Sequence, residues 1–181
     1  MSYNYLFKVV IVGEGGVGKT TFINRFATNS FSEDTKITIG ASFYSFENNV
    51  NGGDVPVKLQ VWDFGGEKRF RFILPSYCQG SHGVIFAFDL SRATTLWNLI
   101  EWLDLIKQNT EKNPIFILIG TKADRIDENG REAISDEQIA EFMKEHNFAS
   151  NLFFKTSSKT GQNVKDVFAE MANLLYEKVT K

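Results

Sequence analysis

The sequence predicts a doubly wound α/β domain, a mostly parallel six-stranded sheet with helices on both faces. Three observations carry that expectation. Short apolar runs alternate with helical patterns from end to end, as parallel strands joined by crossover helices require. A glycine-rich loop, Gly13-Glu14-Gly15-Gly16-Val17-Gly18-Lys19-Thr20, stands between an apolar run and a segment that can carry a helix. The other polar motifs follow directly on apolar runs, and ligands of open α/β sheets sit beyond the carboxyl ends of the strands.

Leu6 to Val12 reads as the first strand, and Thr21-Phe22-Ile23-Asn24-Arg25-Phe26 as part of the first helix. Ala41 to Glu47 and Val55 to Trp62 read as a hairpin around residues 48–54, with Val57, Leu59 and Val61 alternating toward the core. That pair supplies the antiparallel edge. Gly83 to Phe88, Ile115 to Ile119 and Leu152 to Phe154 are continuous apolar runs, the pattern of strands buried on both faces. Between them, Leu96, Leu99, Ile100, Leu103 and Ile106 recur at helical spacing, and Ser135 with Gln138 forms a capping-box pair ahead of Ile139 and Phe142. The last helix starts near Asn163, with Val164, Val167, Phe168, Met171, Leu174 and Leu175 as its core stripe. Neither a linker nor a repeat interrupts residues 1–181, so one domain is expected.

With 181 residues, 43% hydrophobic and 23% charged, the chain has material for one sizeable core. A net charge of -2 and a pI near 5.8 offer no basic footprint for nucleic acid or an anionic membrane. Cys78 stands alone, so no internal disulfide forms, which suits a reducing cytosol. No apolar run approaches a membrane span, the N-terminus lacks a signal peptide and a Met-Gly start, and Val179-Thr180-Lys181 holds no prenylatable cysteine. With no direct membrane anchor visible, the expected location is cytoplasmic, or peripheral to a membrane where a lipidated tail follows. His82 and His146 share no motif with a cysteine or an acidic cluster and are not expected to ligate metal. Asp127-Glu128-Asn129, with Glu132 nearby, reads as a solvated loop.

The glycine-rich loop fits G-x-x-x-x-G-K-[ST] in the strand, loop and helix setting that pattern needs. Its glycines let backbone N–H groups curl around a polyphosphate, and the helix behind presents its positive end to the same anion. Gly13, Gly15, Gly16, Val17, Gly18, Lys19, Thr20 and Thr21 are therefore candidate nucleotide-binding residues. Lys19 is placed to reach the β- and γ-phosphates, and the Thr20 hydroxyl is a hard oxygen ligand for Mg²⁺. Trp62-Asp63-Phe64-Gly65-Gly66-Glu67 closes the third strand, where Asp63 can hold Mg²⁺ through water and the Gly66 N–H can meet a γ-phosphate. In Thr121-Lys122-Ala123-Asp124, Asp124 offers two acceptor oxygens to the adjacent N1–H and N2–H₂ donors of guanine, a pair adenine lacks. The Lys122 stem can pack along the base. Thr156-Ser157-Ser158-Lys159 can direct a backbone N–H at guanine O6, and such fixed, buried partners reject the wrong base.

In this order and spacing, the motifs resemble those of small GTPases of the Ras superfamily, most closely the Rab branch, over essentially the whole chain. The resemblance implies that Thr38, in Ile37-Thr38-Ile39-Gly40, is a switch-one residue whose hydroxyl ligates Mg²⁺ and whose N–H meets the γ-phosphate. It implies that Phe31 packs against guanine, and that Ser157, Ser158 and Lys159 serve the base. Phe43, Trp62 and Tyr77 match the aromatic triad of a Rab effector face, and Arg69-Phe70-Arg71 with Ser76-Tyr77 resembles the second switch. Mg²⁺, bound GTP or GDP, and effector, exchange-factor and activator proteins follow as the implied cofactor, nucleotides and partners. Read without the resemblance, the aromatics are ordinary core or hairpin packing.

Departures from the family pattern are informative. The usual Asp-Thr-Ala-Gly-Gln becomes Asp63-Phe64-Gly65-Gly66-Glu67, so a carboxylate stands where glutamine orients the attacking water. An ionised glutamate only accepts hydrogen bonds, and it adds negative charge beside phosphate. Losing one preorganised donor costs on the order of 3 kcal/mol, roughly a hundredfold in rate, which a base-like role of Glu67 could offset. Two readings stay open: slow intrinsic hydrolysis, or Glu67 turned to solvent with a partner supplying the water-orienting group. Thr121 replaces the commoner asparagine, as in Rho-type proteins, and Ser158 replaces an alanine whose backbone makes the contact. Glu14 is expected to point away from phosphate, and Gly15 keeps small a position where the family tolerates bulk poorly.

The expected function is a Rab-like, Mg²⁺-dependent switch in trafficking or signalling that hydrolyses GTP slowly, with Glu67, Gly66, Thr38 and Lys19 as its catalytic residues. The alternative is a GTP-locked binding scaffold. A P-loop ATPase or kinase conflicts with the Thr121–Asp124 and Ser157–Lys159 motifs.

Overall fold

Alternation decides which face of the sheet each side chain joins. The structure is a computed structural model describing residues 5–33, 36–110, 113–126 and 133–181. The acidic segment read as a solvated loop lies outside these residues. In β1 (Tyr5–Val12), Val9 and Ile11 point into one hydrophobic cluster and Val10 and Val12 into a second on the other face. All four are fully buried, so the strand reads as an unbroken apolar run. Each such burial stabilises by about 1.5–3 kcal/mol.

After β1 come α1 (Lys19–Thr28), β2 (Ala41–Val50) and β3 (Val55–Phe64). β2 and β3 pair antiparallel through a turn at Asn51–Gly53, where Gly52 and Gly53 adopt positive φ of 71° and 101°. The hairpin therefore runs further toward its tip than a loop over residues 48–54 allows, with Val50 still in the strand and buried. A 3-10 segment over Lys68–Ile73 leads into α2 (Leu74–Cys78), then β4 (Gly83–Asp89), α3 (Thr94–Trp97), α4 (Leu99–Asn109) and β5 (Ile115–Thr121). α5 (Asp136–Glu145), β6 (Phe153–Lys155) and α6 (Val164–Thr180) complete the chain. The sheet has six strands in the order β2-β3-β1-β4-β5-β6, and every neighbouring pair except β2–β3 is parallel.

α1 and α6 contribute Phe22, Ile23, Phe168 and Met171 to the cluster on one face. α2 to α5 contribute Leu74, Leu96, Leu103 and Phe142 to the other. The capping box forms as expected: the Ser135 hydroxyl accepts from the Gln138 N–H at 3.3 Å, and the Gln138 side chain accepts from the Ser135 N–H at 3.0 Å.

Two expectations need correction. The stripe from Leu96 to Ile106 spans two helices that meet at Asn98, and Ile100 leaves it for the surface while Trp102 takes its place inside. β6 starts at Phe153 and its residues are only half-buried, because it is the outermost strand. Leu152 is in the core but precedes the strand. Cys78 is a core residue, and burial pushes its thiol up to about 12, against a weaker pull from Lys8.

The order of the strands reverses at β1, which lies between β3 and β4 and runs parallel to both. The carboxyl end of β1 is thus the switch point where an open α/β sheet leaves a crevice.

Candidate functional site

Gly13 to Gly18 fill that crevice as a wrapped loop. Gly13 has a φ of 146°, and a Cβ there would collide with the Ala87 carbonyl oxygen of β4, so only glycine lets the loop lie against the sheet. Lys19 is the first residue of α1 and is almost fully buried. Its Nζ donates to the carbonyls of Gly13, at 2.8 Å, and Glu14, at 2.9 Å, so the ammonium sits inside the loop it follows. Burial lowers its pKa to about 8, opposed by the charges of Asp63 and Glu14.

Three hard oxygens meet one turn away. The Thr20 hydroxyl donates to Asp63 Oδ2 at 2.5 Å and lies 2.6 Å from the Thr38 hydroxyl, which is itself 3.5 Å from that carboxylate oxygen. Asp63 is fully buried, and its Oδ1 has no hydrogen-bond partner. Burial raises its pKa, offset in part by Thr20, Lys19 and Thr38. A buried carboxylate with an orphaned oxygen beside two hydroxyls fits a small hard cation such as Mg²⁺, which takes few protein ligands and keeps waters. Among the described residues no group of three or more His, Cys, Asp or Glu could hold a metal. His82 uses Nδ1 to accept from the Lys8 N–H at 3.0 Å, and His146 follows the end of α5.

Two segments close over the loop. A Cβ on Gly66 would overlap the backbone of Glu14 and Gly15, so residue 66 reaches the phosphate loop only as glycine. The Gly65 N–H donates to the Gly40 carbonyl at 2.8 Å, tying the segment of Thr38 to that of Gly66. Glu67 is half-buried, and its Oε2 lies 2.6 Å from Arg69 Nε. Glu14 turns away to accept from Asn98 Nδ2 at 2.8 Å, in the orientation expected of it. Gly15, Gly16, Gly18, Lys19, Thr20, Thr21, Thr38, Gly66 and Glu67 line a hollow of about 420 Å³.

A second hollow, of about 570 Å³, is lined by Gly16, Gly18, Thr21, Phe31, Thr121, Lys122, Asp124, Ser158 and Lys159. The two share Gly16, Gly18 and Thr21, so they form one elongated groove. Ser157, fully buried, donates its hydroxyl to Asp124 Oδ1 at 2.5 Å. The Thr121 hydroxyl donates to the carbonyls of Val17, at 2.6 Å, and Phe88, at 2.9 Å. Lys122 Nζ donates to the Gly16 carbonyl at 2.8 Å and to Asp89 Oδ2 at 2.7 Å. Every residue singled out in the loop, the metal set and the base motifs therefore borders the groove or bonds to a residue that does. A larger hollow of about 680 Å³ lies between α5 and β6, among Ile139, Met143, Phe148 and Phe153, away from these polar groups.

Phe43, Trp62 and Tyr77 form a continuous chain of ring contacts, edge-on between Phe43 and Trp62 and tilted between Trp62 and Tyr77, with ring centroids 5.0 and 5.1 Å apart. Phe43 and Trp62 are cross-strand partners in the hairpin. Ile39 and Phe72 are each 77% exposed nearby in sequence.

Asp89 and Asn98 escaped the sequence reading. Asp89 ends β4, is buried, and accepts from Lys122, from Arg92 Nε at 3.0 Å and from the Ser91 hydroxyl at 2.6 Å. Burial raises its pKa, but the bonds from Lys122 and Ser91 outweigh burial and hold it below the ordinary aspartate value. The signal was a lone acid at the carboxyl end of a buried strand.

The sequence model of the Ras family matches residues 8–177. The chain is 36% identical over 179 residues to "Ras-related protein RABA1h" of Arabidopsis thaliana, covering 99% of this chain and 78% of that protein. It is likewise 36% identical over 179 residues to "Ras-related protein RABA1i" of the same plant, with the same coverage. "Ras-related protein RABA1f" is 34% identical over 179 residues, 99% of this chain and 79% of that protein.

Proposed function

This chain belongs to the Ras family, and from that premise we propose that residues 1–181 act as one Rab-like guanine-nucleotide switch that hydrolyses GTP slowly. Proteins of the family bind GTP and GDP with Mg²⁺ and work through regulators and effectors. The observation that carries the reading is the single groove in which a buried lysine and a glycine loop at one end meet a paired carboxylate at the other.

At the phosphate end, the loop N–H groups of Gly13 to Gly18, with Thr21 beside them, cradle the polyphosphate, and Lys19 exchanges its carbonyl partners for phosphate oxygens. Thr20 and Thr38, by their hydroxyls, and Asp63, through water, are the residues that would hold Mg²⁺, which when bound would supply positive charge against the β- and γ-phosphates. The Gly66 N–H meets the γ-phosphate, and Thr38 and Gly66 thereby order their segments in the triphosphate state. At the base end, Asp124 is held by Ser157 to accept from guanine, Phe31 and Lys122 flank the ring, and Ser158 and Lys159 close it off. Phe43, Trp62 and Tyr77 form the face that effectors, exchange factors and activators read.

Glu67 can accept a hydrogen bond from water but cannot donate to the transferring phosphoryl group, which supports the slow rate. Among the described residues no helix is long and apolar enough to cross a membrane. The Rab-like reading supports a place in the cytoplasm or peripherally on a membrane.

The test is single-turnover GTP hydrolysis with Mg²⁺, comparing the native protein with Glu67→Gln after equal nucleotide binding has been confirmed. A rise of tenfold or more in the variant, about 1.4 kcal/mol of barrier, makes Glu67 an attenuating residue. Equal rates, or a faster native protein, remove that role and leave an ordinary cycling switch. No measurable native turnover with tight retention of GTP favours the locked scaffold. Displacement of bound GDP by ATP would overturn guanine specificity itself.

A further inference from the structure

Within the 3-10 segment after β3, three cations divide between two carboxylates. Arg71 pairs with Glu101 of α4 and lies 4.7 Å over the Trp102 ring, while Lys68 stands 4.0 Å from the same Glu101. Arg69 instead turns back along the chain to Glu67, Nε to Oε2, at 2.6 Å. Glu67 borders the phosphate end of the groove, and its Cγ would lie 3.9 Å from a Cβ on Gly15. The negative charge that this chain places at its phosphate mouth thus arrives with a guanidinium attached.

We propose that Arg69 is the counter-ion that makes a carboxylate at Glu67 compatible with a triphosphate, and that the Glu67–Arg69 pair sets the preference for GTP over GDP. The inference rests on the proposed guanine-nucleotide site. GTP and GDP differ by the γ-phosphate, the group nearest this end of the groove. A bare carboxylate there repels the triphosphate more than the diphosphate, because the repulsion falls with distance and with intervening water. Pairing cancels the field at the mouth. Arg69 is exposed while Glu67 is half-buried, and ion pairs at the surface are worth about 0–1 kcal/mol, so substitution of Arg69 leaves the fold intact. Arg69 is a positioning and charge-balancing residue and touches no reacting atom.

Affinities for GDP and for guanosine β,γ-imidotriphosphate, with Mg²⁺, are to be measured for the native protein, Arg69→Gln, Arg69→Lys, Glu67→Gln and the double variant Glu67→Gln/Arg69→Gln. Arg69→Gln is expected to lower the triphosphate-to-diphosphate affinity ratio by about fivefold or more, with GDP affinity nearly unchanged. Arg69→Lys keeps the charge and restores most of the ratio. In the double variant, the ratio returns to that of Glu67→Gln alone, because no carboxylate remains to be balanced. Equal weakening of both nucleotides by Arg69→Gln would mean a merely structural role and overturn the proposal. A drop of the same size in the Glu67→Gln background would overturn it too, since Arg69 would then act on phosphate without Glu67. GDP binding by the native protein reports separately on the proposed function; if neither nucleotide binds it, that reading and this one fail together.

Discussion

Lys19 holds its charge where water does not follow, against two carbonyls of its own loop. Replacing it by alanine removes the only buried cation among the described residues and is expected to weaken GDP binding by roughly 3 kcal/mol, read by displacement titration. Asp89 works at one remove, by fixing Lys122. Its folded pKa is held below the ordinary value, so its stabilisation is fully present above about pH 4 and is lost as the pH falls through the folded value. Asp89→Asn should therefore be less stable than the native protein at neutral pH, and the gap should close in acid, as measured by thermal unfolding across pH. The two residues differ in legibility. Lys19 stands in a pattern whose chemistry dictates its spacing, whereas Asp89 is one acid after an apolar run. Its role exists only because β4 and β5 lie side by side and bring Asp89 opposite Thr121, next to Lys122.

The helices show the same division between local signals and those that need the fold. Ser135 and Gln138 spell out a helix start locally, and the cap forms as written. Ser135→Ala should cost about 1 kcal/mol in urea unfolding and leave GDP affinity unchanged, since α5 lies away from the groove. The junction of α3 and α4 was not readable, because helical spacing is nearly continuous across Asn98 and no proline or glycine marks a break. That junction nevertheless reaches the phosphate loop through the Asn98 bond to Glu14. Asn98→Ala leaves a half-buried carboxylate without that donor, which costs about 1–3 kcal/mol at the loop. GDP release, followed with a fluorescent analogue, is expected to speed up severalfold. Ile100 faces solvent because Leu99, Trp102, Leu103 and Ile106 take the buried face of α4 and thereby fix its rotation.

Across the whole molecule, the alternation of apolar runs and helices was enough to anticipate a mostly parallel sheet, and β1 at its switch point explains why distant motifs share one groove. Periodicity says nothing of strand order, and so β6 as a half-buried edge appeared only in the structure. Ligands of this groove join several elements at once, so GDP with Mg²⁺ should raise the unfolding temperature, by an amount set by about 2.7 kcal/mol at a hundredfold excess over Kd. Chelating the metal should shrink that shift, because the buried Asp63 loses the ion its orphaned oxygen is suited to. The shared walls of the two hollows have a further consequence. Gly16, Gly18 and Thr21 belong to both, so a nucleoside and a diphosphate that are covalently joined bind as a chelate, each end raising the effective concentration of the other. Guanosine and inorganic diphosphate supplied as separate molecules should each bind weakly, and adding them together should not reproduce the grip on GDP.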